Sequence, residues 1–135
     1  SGNAYFRNGG NENSILDSGY YNFFYESCMG YCPQNDGLIE LLTGREHLEL
    51  YCRIRGFNKR DTKLFVDTLI DALNLKEFAD GTVSKYSGGN RRKVCVAIAI
   101  IGNPSIVMLD EPSTGIDPIS RRFMWNFISS MTRNE

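Results

Sequence analysis

The sequence predicts an α/β fold in which an apolar parallel strand lies between helices. Residues 106–109 (Ile-Val-Met-Leu) are all apolar, a pattern typical of a strand that is buried on both faces of a parallel sheet. Residues 91–101 have the composition of an apolar helix, which the Gly-Asn-Pro sequence at 102–104 would end. The Asp-Pro pair at 117–118 is suited to the cap and first position of another helix. We expect the buried face of that helix to comprise Phe123, Met124, Trp125, Phe127 and Ile128.

The first third of the chain gives weaker signals. Residues 3–11 have the pattern of a short strand that ends in an Asn-Gly-Gly turn. Residues 28–36 indicate a brief strand broken by Pro33. The intervening residues 11–27 fit no element. Their aromatic stretch at 20–26 lacks the interleaved basic side chains of a base-stacking surface, which favours a role in a core or an interface.

Two amphipathic helices are predicted in the middle of the chain. Thr43 and Glu46 have the spacing of a capping box, and apolar residues follow at helical intervals as far as Gly56. A second apolar stripe predicts a helix near residues 61–73. Residues 75–87 then form a connector with one helical turn.

Composition and charge limit the possible functions. The chain has 135 residues, 41% of them hydrophobic and 23% charged, as in a single soluble globular domain. A net charge of −1 with dispersed basic residues argues against a nucleic-acid partner. The longest apolar run, residues 94–101, is too short to span a bilayer, and the polar N-terminus has no features of a signal peptide.

The cysteines and the single histidine favour structural roles. Cys28 and Cys32 lack the second Cys/His pair that a zinc site needs, and Cys52 and Cys95 lie in apolar helical patterns. Reduced thiols are therefore favoured over disulfides or metal ligation. His47 falls in the first turn of a helix, and a packing or solvated role is favoured over a catalytic one.

Two adjacent acids, Asp110 and Glu111, follow the apolar strand directly. Ligands of open parallel sheets bind outside the carboxyl ends of the strands. We expect these carboxylates to need a partner because a buried charge is costly, and Mg²⁺ held together with substrate phosphates would be one. Adjacent residues on a strand point in opposite directions, so one acid can face the metal and the other an attacking water.

The Ser-Gly-Gly-Asn sequence at 87–90 precedes the apolar helix. A helix start presents unpaired amides and a partial positive charge, and glycines let a phosphate approach that backbone closely. The alternative is that Ser87 is an ordinary cap and that the glycines only turn the chain. By itself this pattern is a weak indication of anion binding.

Together, these two motifs resemble the nucleotide-binding domain of ABC transporters. Residues 86–90 (YSGGN) match the signature loop, which is usually Leu-Ser-Gly-Gly-Gln, and residues 106–111 match the Walker B strand with its catalytic glutamate. Residues 113–117 match the D-loop, and Gln34 in YCPQND has the position of the Q-loop glutamine. The resemblance runs from about residue 28 to the end and is closest to the A subfamily, whose members mostly move lipids. The match of the N-terminal segment, GNAYFRNGG, is much weaker.

The resemblance implies roles for individual residues in binding and hydrolysing ATP with Mg²⁺. Asp110 would help to hold Mg²⁺, mainly through water, and Glu111 would be the general base. Gln34 would sense the γ-phosphate and Mg²⁺. The nucleotide would be held mainly by a second nucleotide-binding domain in a head-to-tail ATP sandwich. The residues of this chain that would contact it or line the dimer seam are Ser87, Gly88, Gly89, Asn90 and Asp117.

The resemblance also implies an architecture and a location. The fold would be a partial P-loop NTPase (RecA-like) core that carries the ABC α-helical subdomain. Residues 1–37 would supply core strands and the Q-loop, and residues 38–86 the helical subdomain. Residues 87–135 would supply the signature helix, the Walker B strand, the D-loop and the following helix, all in one partial domain, 1–135. Transmembrane domains would be further partners, which places the chain at the cytosolic face of a membrane.

The sequence departs from the family pattern at several points. Tyr86 and Asn90 replace the usual leucine and glutamine of the signature loop. The sequence has no Gly-x-x-x-x-Gly-Lys-[Ser/Thr] loop to cradle the α- and β-phosphates, and no switch histidine, a role His47 cannot fill. We therefore expect a piece of a larger protein that is inactive when isolated.

Two alternatives were weighed against an ATP-hydrolysing transporter domain. One is a degenerate, non-catalytic domain that supports a partner's ATP site, which the presence of Gln34, Glu111 and an intact Ser-Gly-Gly disfavours. The other is a chromosome-maintenance or repair ATPase. Such proteins insert long coiled-coil arms before the signature loop, whereas the stretch between Gln34 and Ser87 shows no sustained heptads.

Overall fold

The computed structural model describes residues 5–8, 11–14 and 28–132 of the chain, with side-chain surroundings for 28–130. The strands are β1 (Tyr5–Asn8), β2 (Asn11–Ser14), β3 (Met29–Cys32) and β4 (Ile106–Leu109). The helices are α1 (Gly44–Ile54), α2 (Lys59–Ala72), α3 (Gly88–Ile100) and α4 (Pro118–Thr132), with a short 3₁₀ turn at Val83–Lys85.

The parallel pairing of β3 with β4 organises the part of the fold that carries the predicted motifs. Met29 lies opposite Ile106 and Cys32 opposite Leu109, and the N–H of Asp110 donates to the carbonyl of Cys32 at 2.9 Å. Helix α3 packs against both strands. Gly30 permits this packing, because a Cβ at that position would overlap the carbonyl oxygen of Ala99 in α3.

Helix α1 confirms the predicted capping box. The hydroxyl of Thr43 accepts from the N–H of Glu46 at 3.1 Å, and the carboxylate of Glu46 accepts from the N–H of Thr43 at 2.8 Å. The helix ends before Gly56, which has a φ of +87°, as a left-handed residue at a helix end requires.

Helices α2 and α3 each begin earlier than predicted. Asn58 caps α2 by accepting from the N–H of Asp61 at 2.9 Å, so the helix includes Lys59 and Arg60. Ser87 caps α3, which places Gly88 and Gly89 inside the first turn instead of in a preceding loop. In both cases the helix begins at a short polar cap that precedes the first apolar residue of the buried face. The prediction was based on the apolar residues, so it placed each helix start too late.

Two expectations about burial are wrong. Strand β4 is not buried on both faces: the side chains of Val107 and Met108 are 39% and 45% exposed, because β4 pairs with β3 alone among the described residues. In α4, Met124 and Phe127 are buried as predicted, but Phe123 and Trp125 are 38% and 45% exposed. The apolar character of these residues is therefore not matched by packing partners in the described part of the chain.

The main core lies between α1, α2, α3 and the β3–β4 pair. Its side chains include Cys32, Leu48, Cys52, Val66, Leu69, Ile70, Leu73, Val94, Cys95, Val96, Ile101 and Met124. Cys52 and Cys95 are buried there, as their apolar surroundings in the sequence predicted, and burial raises the pKa of their thiols to about 11 and about 12. These two thiols are consequently poor nucleophiles at neutral pH.

The N-terminal strands form a separate two-stranded antiparallel ribbon, with Tyr5 opposite Ser14 and Asn8 opposite Asn11. The first strand was predicted and the second was not. The aromatic segment at 20–26 lies outside the described residues. Within the described ranges, no helix is long and apolar enough to cross a bilayer.

Candidate functional site at the carboxyl ends of the strands

Gln34 and Glu111 meet at the carboxyl ends of the two paired strands. The side-chain amide of Gln34 donates to Oε2 of Glu111 at 3.0 Å, although the two residues are far apart in the sequence. Parallel strands carry their carboxyl ends at the same edge of a sheet, so the residues that follow β3 and β4 come together there. We call Gln34, Asp110 and Glu111 the strand-end site.

Glu111 is held in an unusual conformation. Its φ is +45°, in the left-handed region that residues other than glycine rarely occupy. The hydroxyl of Thr114 donates to the same Oε2 at 3.0 Å. Both hydrogen bonds therefore reach one carboxylate oxygen, and among the described residues none reaches Oε1, which is left for a water or ligand. Thr114 was not anticipated from the sequence, and only its position three residues after the acid hinted at this contact.

Two inferences about the acids are wrong. Asp110 and Glu111 are both exposed, so the cost of burying their charges does not demand a cation in this structure. Both also lie beyond Leu109, where β4 ends, and the left-handed φ of Glu111 breaks the alternation that a strand would impose. The hydrogen bond between Gln34 and Glu111 is what remains as evidence for a site.

The start of α3 is open to an incoming group. The hydroxyl of Ser87 accepts from the N–H of Asn90 at 3.2 Å, and the first intrahelical bond runs from the N–H of Arg91 to the carbonyl of Ser87. A Cβ built at Gly88 meets nothing within 4 Å, and one at Gly89 makes only ordinary contacts at 3.9 Å. Packing within the described chain therefore does not require these glycines. Because they carry no side chain, these two glycines leave the backbone of the first turn uncovered at their positions.

Asp117 caps α4, as predicted. Its carboxylate accepts from the N–H of Ser120 at 2.9 Å and from that of Ile119 at 3.1 Å. The bond from the Ser120 amide is the main reason why the pKa of Asp117 lies below its usual range. The carboxylate is exposed, so it remains accessible to a group outside the chain.

Arg91 ties α3 to the loop after Gln34. Its guanidinium binds both carboxylate oxygens of Asp36, at 2.6 and 2.9 Å, and both of Glu40, at 2.8 and 3.1 Å. Hydrogen bonding to Arg91 holds the pKa of each carboxyl below its usual range. This pairing could not be predicted from the sequence, because Arg91 lies more than 50 residues after both carboxylates.

Comparisons with known proteins identify the family of the chain. The family model described as "ABC transporter" matches residues 16–114, which is more than half of the chain. The chain belongs to the ABC transporter family.

Curated relatives of this ABC transporter chain belong to the A subfamily, as predicted. "ATP-binding cassette sub-family A member 7" of Mus musculus is 49% identical over 105 residues, which cover 78% of this chain. "Retinal-specific phospholipid-transporting ATPase ABCA4" of Homo sapiens is 52% identical over 105 residues, again 78% of this chain. The chain spans 5% of the length of each relative.

A solved structure supports the fold. "Structure of ATP binding subunit of ABC transporter" superposes with a TM-score of 0.70 and 24% sequence identity, over 80% of this chain and 45% of that one. This likeness confirms the predicted partial ABC-type α/β fold.

In this ABC transporter chain, the structure explains why a tyrosine, Tyr86, replaces the usual leucine of the signature loop. The hydroxyl of Tyr86 donates to the carbonyl of Phe78 at 2.6 Å, and it occupies the space in which a side chain at Gly44 would lie. Burial raises the pKa of this phenol. Tyr86 thus attaches the signature loop to the connector and to the start of α1.

His47 is a packing residue. Its side chain is 1% exposed, its Nε2 accepts from the N–H of Ile39 at 2.9 Å, and its Nδ1 lies 2.8 Å from the carbonyl of Thr43. Since a carbonyl only accepts, Nδ1 carries the proton and the ring is neutral. Both partners are main-chain groups next to α1, so His47 fixes the loop that leads into that helix.

Proposed function

We propose that this chain forms part of the ATP-hydrolysing nucleotide-binding domain of a lipid-moving ABC transporter. The observation that carries the proposal is the 3.0 Å hydrogen bond between Gln34 and Glu111. It joins the expected general base to the residue expected to sense the γ-phosphate and Mg²⁺. Glu111 accepts hydrogen bonds through Oε2, and its Oε1 would orient the water and accept its proton. Family membership supports ATP as the substrate.

The available side chains suit magnesium. Asp110 and Gln34 offer exposed oxygens at one edge of the sheet, and oxygen donors with waters are what Mg²⁺ prefers. When bound, Mg²⁺ would offset the negative charge of the phosphates. Asp110 would hold it mainly through water, since one carboxylate and one amide leave most positions to solvent and phosphate.

The start of α3 would serve a nucleotide held mainly by a second domain. Ser87, Gly88, Gly89 and Asn90 form the start of α3, where helix amides carry a partial positive charge that suits phosphate. The N–H of Asn90 is bonded to the hydroxyl of Ser87, so Gly88 and Gly89 would offer the amides that a phosphate reaches. Asp117 would lie at the seam between the two domains. In this scheme residues 1–37 carry core strands and the Q-loop, residues 38–86 the helical subdomain, and residues 87–135 the signature helix with the Walker B and D-loop elements. Transmembrane domains would be the other partners, at the cytosolic face of a membrane.

A phospholipid substrate is proposed from the relatives. One of them is named a phospholipid-transporting ATPase and is 52% identical over the shared segment. The direct test uses the complete protein that contains this chain, reconstituted in phospholipid vesicles. Phosphate release that requires Mg-ATP, together with ATP-dependent movement of a labelled phospholipid between leaflets, is the expected result. Absence of phosphate release would refute the ATPase proposal, and release without lipid movement would refute the lipid substrate alone.

The isolated chain should not bind ATP tightly, because its sequence has no lysine-bearing phosphate loop. Calorimetry with Mg-ATP on the 135-residue chain, checked for folding by circular dichroism, should show no binding at micromolar ligand concentrations. Micromolar binding, or phosphate release above a blank without protein, would contradict this expectation.

A further inference from the structure

Arg92 is a buried arginine at the second turn of α3, with 6% of its surface exposed. A buried guanidinium has to satisfy five N–H donors or it is strongly unfavourable. Within the described ranges no carboxylate lies within ion-pair distance of it, which distinguishes it from its neighbour Arg91. The N–H donors of Arg92 therefore bind groups other than carboxylates.

The partners of Arg92 are four main-chain carbonyls. Its Nε donates to Pro112 at 3.3 Å, and one terminal nitrogen donates to Gln34 at 3.1 Å and also to Pro33. The other terminal nitrogen donates to the carbonyl of Asp110. One side chain thus joins the segment after β3 to the segment after β4.

These carbonyls need such a donor because the strand pairing stops just before them. The last bond of the ladder runs from the N–H of Asp110 to the carbonyl of Cys32, and the next residue on the β3 side is Pro33, which has no N–H. Carbonyls beyond this point lose their strand partner in a region covered by α3. The planar fork of an arginine can reach several of them at once, whereas the single ammonium group of a lysine cannot.

The clamped peptides are those that carry the strand-end site. Arg92 holds the carbonyl of Gln34 itself and the carbonyls on either side of Glu111, whose φ of +45° has to be maintained by its surroundings. The side chains of Gln34 and Glu111 meet at 3.0 Å from these fixed peptides. A loss of the clamp would free both backbones and separate the two side chains.

We propose that Arg92 is a positioning residue for ATP hydrolysis, which sets Gln34 and Glu111 relative to each other and links them to the signature helix. The role rests on the proposed ATPase function. Because Arg92 lies one turn after Ser87 on the same helix, a shift of the signature loop would be passed to the strand-end site through this guanidinium.

Steady-state kinetics on the complete protein test the role. Arg92→Lys should lower kcat per nucleotide-binding site by about 10-fold and Arg92→Met by about 100-fold, because small misplacements of reacting groups cost rate steeply. The KM for ATP should change by less than about twofold, since Arg92 binds no part of the nucleotide. Arg60→Met removes an exposed arginine of α2 and should match the wild type.

A double-mutant cycle separates positioning from general stabilisation. In a Gln34→Ala background, which already lacks the positioned amide, Arg92→Lys should lower kcat by less than about twofold further. A full additional 10-fold loss would overturn the link through Gln34. With Gln34 intact, Arg92→Lys could instead reduce the amount of folded protein and leave kcat per folded site unchanged. That result would show a purely structural role and overturn the proposal.

Hydrogen exchange gives a readout that does not depend on activity. In the complete protein, Arg92→Lys should speed amide exchange at least 10-fold in peptides covering residues 34–40 and 110–116, and leave α1 unchanged. Equal protection in wild type and variant would overturn the clamp even if ATP turnover fell. Faster exchange in a protein whose wild type releases no phosphate would retain the clamp and refute the proposed ATPase function.

Discussion

The helical region, residues 38–86, and the strand-end site are held together in opposite ways. The helical region has polar contacts that stay within it: Thr43 with Glu46, His47 with the loop before α1, and Arg45 with Asp67 and Asp80, the last two at 2.6 Å. At the strand-end site the contact that defines the site joins distant segments, Gln34 and Glu111, and a local bond from Thr114 supports it. The helical region thus has a set of internal contacts, with outward bonds that join Glu40 to Arg91 and Arg55 to Met29. The site is a junction that depends on how α3, β3 and β4 are packed.

The largest effect on the junction should come from Gly30→Ala. The new methyl group would overlap the carbonyl of Ala99, so β3 and α3 would have to separate. We expect a loss of about 3 kcal/mol in the free energy of unfolding, measured by urea denaturation followed by circular dichroism. Gly37→Ala is the matched control, since a Cβ there meets nothing within 4 Å. Equal stability of the two variants would show that the contact between β3 and α3 is not tight.

A smaller effect should distinguish two helix caps. Thr43→Ala in the helical region and Ser87→Ala at the start of α3 each remove a hydroxyl that accepts from an amide three residues later. Each should cost about 1 kcal/mol of stability.

Only Ser87→Ala should also impair ATP turnover per folded molecule of the complete protein, because only its hydroxyl would face the nucleotide. Equal turnover in the two variants would contradict the role of the α3 start.

The smallest effect concerns the ion pair between Arg91 and Asp36. Hydrogen bonding to Arg91 lowers the pKa of Asp36 in the folded chain, so the pair contributes stability above the unfolded pKa of about 3.9 and loses it as the pH falls through the folded pKa. Asp36→Asn should therefore be less stable than wild type by under about 1 kcal/mol at pH 7.

The difference between the two proteins should begin to shrink below about pH 4 and vanish as the pH falls through the lowered folded pKa of Asp36, because the wild-type carboxyl then becomes neutral like the amide. Urea unfolding at pH 7 and pH 3 measures it. A difference that grew in acid would contradict the assigned direction of the shift. In an Arg91→Met background the substitution should have little effect at either pH.

The sequence predicts features formed by neighbouring residues better than contacts between distant segments. The capping box at Thr43, the cap at Asp117 and the apolar strand at 106–109 were recognisable because their signals lie within a few residues. The roles of Arg91 and Arg92 were not, since their partners at 33–40 and 110–112 are brought near only by tertiary packing. The burial of strand β4 was overestimated. An apolar side chain favours a buried environment, but its residue type does not show whether neighbouring side chains cover it.

The candidate site was recognised through motif resemblance and not through physics alone. The desolvation reasoning for Asp110 and Glu111 is wrong, since both acids are exposed, yet one of the two, Glu111, is bonded to Gln34. Thr114 and the left-handed φ of Glu111 could not be read from residue types, because both depend on the path of the turn after β4.

The central claim is that Glu111 activates the water that attacks ATP, and one comparison in the complete protein tests it most directly. ATP bound per site and phosphate released per site should be measured for wild type, Glu111→Gln and the control Glu77→Gln, which changes an exposed acid of the helical region. Glu111→Gln should bind ATP within about twofold of wild type and lose at least about 100-fold in turnover, because the amide cannot accept the proton. Turnover near the wild-type rate in Glu111→Gln would contradict the claim.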